Sequence, residues 1–259
     1  MQPSIDIPSL VLLRDRFPPP QILDVRRSAA IAAHPVVIAG AQVADLHDVI
    51  GLAARLERWR PVAVYCAEGH ERSQDAAAAL RAVGIDAQFL AGGLAGWEAA
   101  GGETVPRASP TQWVTRERPK IDRIACPWLI RRFIDPTARI HYVPAADVAA
   151  FAHEHGTTPF DIPGAEYGHH GEHCSFDAFI ARHHLADPAL AALARIVRGA
   201  DTGRLGDAPE APGLLALSLG LSRLYRDDHA MLQSGMAMYD ALYLWCRDAC
   251  GAAPLRAAA

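Results

Sequence analysis

The sequence predicts an α/β domain built on a parallel sheet, followed by a second, mainly α-helical domain. Three observations lead there. Over residues 1–103, short apolar runs alternate with amphipathic stretches, the pattern of strands crossed by covering helices. Residues 101–110 (Gly101, Gly102, Pro106, Ser109 and Pro110 among them) then break every periodicity. Beyond Trp113, helix-length segments dominate.

Taken in order, strands are expected at residues 21–25, 36–38, 62–65 and 87–90, each a compact apolar run. A helix is expected over 43–59, with Val49, Ile50, Leu52 and Leu56 on one face and Asp45, His47, Glu57 and Arg58 on the other. Residues 73–83 form the next helix, which Gly84 closes as a left-handed cap. A linker is expected at 104–112 and the second domain at 113–250, with helices at 127–133, 145–155, 176–184, 188–197, 214–225 and 229–246. Asp187-Pro188 is a favourable N-cap and first-turn pair. Met231, Met236 and Met238, with Tyr239, Leu242, Tyr243 and Trp245, read as one apolar helix face rather than a cofactor box.

Bulk properties set the outer limits. The chain has 259 residues, 51% of them hydrophobic, enough for two cores. A formal net charge of -4 and a pI near 6.3 argue against nucleic acid as a partner. No apolar run approaches the roughly 18 residues that span a bilayer, and the N-terminus lacks a basic segment followed by an apolar core, so the expectation is a cytoplasmic protein with no membrane partner. Five irregularly spaced cysteines, Cys66, Cys126, Cys174, Cys246 and Cys250, read as thiols or ligands before disulfides in a reducing compartment. Cys246 and Cys250 read as packing or surface thiols.

The most chemically pointed segment is Cys66-Ala67-Glu68-Gly69-His70-Glu71-Arg72-Ser73. A strand delivers a thiol to a tight loop, and a helix begins immediately afterwards. Backbone amides of such a loop and the helix N-terminus favour negative charge, which lowers a thiol from about 8.5 towards roughly 3.5 to 7.5. Cys66 is therefore the candidate nucleophile, Arg72 a planar donor to a bound anion, and Ala67, Glu68, Gly69, His70, Glu71 and Ser73 the loop. Glu68 and Glu71 would repel a dianion unless turned away or neutralised by His70. Asp24, at the end of its strand, faces the same crevice as a catalytic candidate or, more plainly, accepts loop hydrogen bonds.

Together with Ile22-Leu23-Asp24-Val25-Arg26 and Gly92-Gly93-Leu94-Ala95-Gly96-Trp97, this loop resembles the rhodanese domain. The resemblance implies a small doubly wound fold and a cysteine that carries a persulfide, or in a related branch a phosphocysteine. One departure stands out: five residues separate Cys66 from Arg72, one more than in a sulfurtransferase rhodanese. The longer loop resembles that of cell-cycle phosphatases and arsenate reductases on the same fold, whose cradle fits a tetrahedral oxyanion.

In the second half, His169, His170, His173 and Cys174 cluster with Glu172 and Asp177. No cofactor is specified outright, but imidazole and thiolate at this density make a candidate transition-metal site, for zinc or iron. Distant ligands are open among Asp122, Glu166, Asp201, Asp228 and His229, and the plainer reading is a His-rich surface turn. Asp122, Arg123 and Cys126, with Arg131 or Arg132, form a second polar candidate, or simply a helix cap, a core thiol and a solvated face. Asp228-His229 is a candidate proton-transfer pair or a helix cap.

The blocks Arg118 to Asp135, Pro159 to Glu166 (Asp161 included), Gly168 to Asp177, Ala194 to Thr202, Asp227-Asp228-His229 and Tyr239 to Tyr243 resemble the C-terminal domain of the chromate resistance protein B family, ChrB. That resemblance implies chromate sensing or resistance. Some family members place a DNA-binding module before this domain; here a rhodanese-like module stands in its place. The functional expectation is a chromate-resistance-associated protein with a Cys66-dependent sulfurtransferase site, its partner a small sulfur donor. The alternatives are oxyanion binding or reduction at the loop, and a sensor without turnover.

Overall fold

The computed structural model describes residues 3–45 and 49–251. His47 of the expected helix over 43–59 and the Ala-rich tail beyond Gly251 lie outside the described residues. The chain divides into two compact units, one ending at Ser109 and one starting at Pro110.

The first unit runs β1 (Ser4–Ile5), α1 (Ile7–Arg14), β2 (Gln21–Asp24), α2 (Ser28–Ala33), β3 (Val36–Ile38), β4 (Ala41–Val43), α3 (Val49–Arg55), β5 (Val62–Tyr65), α4 (Glu71–Ala82), β6 (Ala87–Leu90), α5 (Gly93–Ala99) and β7 (Thr104–Pro106). Five strands form one parallel sheet in the order β1-β6-β5-β2-β4. β2 and β5 lie at its centre and are buried along their whole length, which is why their sequences read as apolar runs rather than alternating ones. The pleat splits β5 between two cores. Val62 and Val64 pack with Ala76, Ala77 and Leu80 of α4, whereas Ala63 and Tyr65 pack with Leu10, Leu94 and Trp97.

The structure revises three expectations here. β3 leaves the main sheet and pairs antiparallel with β7, so the first residues assigned to the linker are a strand of the first unit. Val43 ends β4 on the sheet edge instead of opening a helix. β1, β4 and β7 are too short to produce a period.

The second unit is largely helical but contains a three-stranded parallel sheet that the sequence reading did not name. Its strands are β8 (Gln112–Arg116), β9 (Arg139–Val143) and β10 (Thr158–Pro159), with β8 in the middle. Around it stand α6 (Ile121–Leu129), α7 (Val148–His155), α8 (Ser175–Arg182), α9 (Pro188–Asp201), α10 (Ala211–Leu224) and α11 (Asp228–Ala249). α6 runs on into a π-helical turn over Ile130–Ile134. The Asp187 carboxylate caps α9 by accepting from the Ala189 and Leu190 amides, with Pro188 in the first turn.

Trp128, fully buried, is the hub of this core. Its ring meets Phe133, Phe176, Tyr239 and Tyr243, and its indole N–H donates to Asp240 Oδ1 at 2.8 Å. Arg132 donates to both oxygens of the same carboxylate at 2.8 Å. Because both charges are buried, removing one strands the other. Asp240→Ala is expected to destabilise the second unit by about 3–5 kcal/mol, measured as a lowered denaturant midpoint; an unchanged midpoint would show that the pair is dispensable.

Candidate functional site

Cys66 follows β5 directly, at the C-terminal edge of the sheet, where loops of α/β folds form crevices. It is 7% exposed. Its sulfur lies 3.2 Å from the Ser73 hydroxyl in the first turn of α4. The Ser73 hydroxyl also donates to the His70 carbonyl at 3.0 Å. Burial pushes the thiol up, but hydrogen bonding with the Ser73 side chain and with the Glu68, Ser73 and His70 backbone outweighs it, leaving Cys66 below the ordinary thiol value.

The loop owes its shape to two glycines. Gly69 adopts φ +74°, and a β-carbon there would stand 2.7 Å from the Leu90 carbonyl oxygen and the Gly92 nitrogen. Gly93, at φ +56°, presses so closely on the loop that a β-carbon would lie 2.5 Å from the Cys66 oxygen. That contact seats the first turn of α5 beneath the loop. The Leu94 and Ala95 amides donate to the Cys66 and Ala67 carbonyls at 2.9 Å each, so the loop carbonyls are held by α5.

Arg72 donates through Nε to the Val25 carbonyl at the end of β2, which fixes its side chain across the strand ends. Glu68 pairs with His70 at 3.2 Å, both side chains largely in solvent, and Glu71 is exposed. Of the two readings of Asp24 the geometry fits the plainer one: its carboxylate is fully buried and held by the Arg26 guanidinium at 2.6–3.0 Å, while Arg26 also donates to the His34 and Val36 carbonyls. It braces the strand end, and the Cys66 contacts come from the loop and α4.

The second unit gathers a different polar cluster. Asp122 stands in the first turn of α6, Asp161 follows β10, Asp201 ends α9, and His169 rises from a turn made tight at Gly168, where a β-carbon would lie 2.9 Å from the Ile162 oxygen. His169 Nε2 lies 3.5 Å from Asp122, 3.3 Å from Asp161 and 3.2 Å from Asp201. Asp161 also accepts from Ser175 Oγ at 3.0 Å and Arg116 at 2.8 Å, and pairs with Arg123 at 3.2 Å. Asp122 accepts the Ser175 amide at 2.6 Å.

Burial and the neighbouring Asp122 and Asp161 charges push Asp201 up to about 7, and burial likewise raises Asp122. The Asp122 carboxylate, with Asp201 and Asp161 adding to it, lifts His169 to about 9 against the opposing effect of burial. Burial also pushes the thiols of Cys126 and Cys174 up, with Asp122 adding to it.

The four-ligand reading of His169, His170, His173 and Cys174 is corrected by this geometry. His170 and His173 pair through their backbones in a turn, so the helical spacing that would align His169 with His173 does not exist. His173 instead faces Asp177 and Arg198, and Cys174 is the buried N-cap of α8. Glu166 pairs with Arg182, Glu172 with Arg204 at 3.1 Å, and Asp228 accepts the Arg118 amide at 2.9 Å. The His229 ring packs on Tyr142. Arg131 bonds the Ala138 carbonyl, and Arg132 belongs to the Asp240 pair. Asp161 was missed as a site residue; its one sequence signal was its place in a block carrying the family resemblance.

The fold and loop thus define a rhodanese-like unit followed by a largely helical unit with its own polar centre. Residues 10–100 match the rhodanese-like domain family, and residues 113–246 match the ChrB C-terminal domain family. The chain belongs to the ChrB C-terminal domain family. It is 36% identical over 145 residues to Protein ChrB of Cupriavidus metallidurans, covering 54% of this chain and 43% of that protein, so it spans less than half of that relative. Among solved structures, it is similar to a rhodanese-related protein from Thermoplasma volcanium (26% identity, 40% of this chain and 97% of that one, TM-score 0.35) and to a rhodanese-like domain from an Anabaena species (32%, 41% and 81%, TM-score 0.35). No helix among the described residues is long and apolar enough to cross a membrane.

The lowered Cys66 thiol has a direct kinetic expression, since only the thiolate alkylates rapidly. Iodoacetamide modification of Cys66 is expected to rise through a midpoint below that of a free thiol. In Ser73→Ala the midpoint should move up by about one unit, the worth of a hydrogen bond to a charged group. Coincident wild-type and variant profiles would remove Ser73 from the account.

Proposed function

We propose that this chain is a chromate-resistance protein whose rhodanese-like unit carries sulfane sulfur on Cys66. The observation that carries the reading is the Cys66 sulfur held between the Ser73 hydroxyl and loop amides, with its thiol below the ordinary value. Cys66 also packs in the core under α4, and Arg72 also ties α4 to the Val25 carbonyl, so the reading rests on the polar surroundings of the sulfur and not on the mere presence of the two residues. The link to chromate is carried over from the ChrB family through residues 113–246.

In the reaction, the Cys66 thiolate attacks the outer sulfur of a donor such as thiosulfate. The donor S–S bond breaks, sulfite leaves with the electron pair, and Cys66 becomes a persulfide anion. The loop amides that lower the thiol also stabilise this anion. A nucleophilic acceptor then attacks the outer sulfur and returns the Cys66 thiolate. The five cysteines are all unpaired, in keeping with a reducing, cytoplasmic setting.

One feature favours a second reading, capture of a tetrahedral oxyanion such as chromate or arsenate: the extra residue between Cys66 and Arg72. One feature weighs against it: the Nε of Arg72 is committed to the Val25 carbonyl.

Incubation of the reduced protein with thiosulfate is expected to add one sulfur to the intact mass, removable by cyanide and absent in Cys66→Ser. If neither protein gains sulfur, sulfur transfer is rejected; protection of Cys66 from alkylation by sulfate or phosphate would then support the oxyanion reading.

A further inference from the structure

We propose that Asp122, Asp161, His169 and Asp201 form a binding site for a divalent first-row transition-metal ion in the second unit. The site is independent of the Cys66 reading. One oxygen or nitrogen each from Asp122, His169 and Asp201 lie within 4.8 Å of one another. That spacing suits ligands at about 2.0–2.2 Å around a common centre. Asp161 Oδ1, 3.3 Å from the same imidazole nitrogen, borders it as the fourth donor.

The groups do not satisfy one another. His169 Nε2 carries at most one proton, yet three carboxylates stand 3.2–3.5 Å from it, beyond the 2.7–2.9 Å of a good charge-assisted hydrogen bond. Arg116 and Arg123 compensate Asp161, and neither forms an ion pair with Asp122 or Asp201 among the contacts described. Asp122 is 1% exposed, and its Oδ1 has no hydrogen-bond partner although it is buried. A buried carboxylate oxygen left in this state is costly. A cation between Asp122, His169 and Asp201 supplies a partner for the buried carboxylate and a reason for three acids to converge on one ring nitrogen.

The donors come from four separate places in the chain, so the cluster is a product of the tertiary fold. Asp122 is fixed by the Ser175 amide, and Asp161 by Ser175 Oγ, so one serine at the start of α8 orients two of the carboxylates. The His169 side chain is 42% exposed and that of Asp201 19%, which gives the ion a path from solvent. Three carboxylates with one imidazole are harder than a cysteine-rich zinc set and suit Mn2+, Fe2+ or Zn2+.

The test uses the full-length chain after dialysis against EDTA, titrated with Mn2+ by electron paramagnetic resonance and with Zn2+ by calorimetry. Wild type is expected to bind one ion per chain. His169→Ala and Asp201→Asn should each weaken binding more than about tenfold, whereas His170→Ala and His173→Ala should change it less than twofold. Circular dichroism confirms that each variant is folded; Asp201→Asn, at a partly exposed position, serves should Asp122→Asn unfold. Absence of stoichiometric uptake of either ion overturns the proposal. So does uptake unchanged in both His169→Ala and Asp201→Asn.

Discussion

The first unit depends on one close approach, the contact between the Cys66 loop and the N-terminal turn of α5. A β-carbon at Gly93 would lie 2.5 Å from the Cys66 oxygen, so no other residue fits without moving the loop. Because that turn takes up the Cys66 and Ala67 carbonyls, the loop amides are left to face the sulfur. The same parallel sheet that buries β2 and β5 sets their ends side by side, where Arg72 ties α4 to the Val25 carbonyl. Burial alone would raise the Cys66 thiol; hydrogen bonding with Ser73 and the loop backbone brings it below the ordinary value.

The second unit solves a related problem with opposite charge. It brings three carboxylates and an imidazole to one point, at a cost in desolvation and repulsion that packing alone does not explain. At Asp240, by contrast, the buried charge is matched, with Arg132 and Trp128 sharing the carboxylate. The contrast between a satisfied pair and an unsatisfied cluster within one core is what sets the His169 centre apart.

Much of this was legible in the sequence. The central strands, residues 21–24, 62–65 and 87–90, are compact apolar runs because both their faces are covered, and the Cys66 loop with its following helix is contiguous. What was not legible depended on distance in the chain. β8 and β9 mix tryptophan, histidine and arginine with short apolar stretches, and only their pairing makes them strands. The histidine cluster suggested a local ligand set because imidazole and thiolate crowd into a few consecutive residues. Gly168 and Gly171 instead place it in a turn, and His169 finds its partners at Asp122, Asp161 and Asp201. Asp24 left two readings open because it stands at a strand end; its carboxylate is taken up by Arg26, two residues on.

The central claim, that the loop holds a charged sulfur species on Cys66, is tested most directly by a crystal structure of the protein after treatment with thiosulfate. The account predicts a second sulfur bonded to Cys66 Sγ inside the ring of loop amides. A bare thiol, with a tetrahedral anion seated in the loop in place of that sulfur, would contradict it.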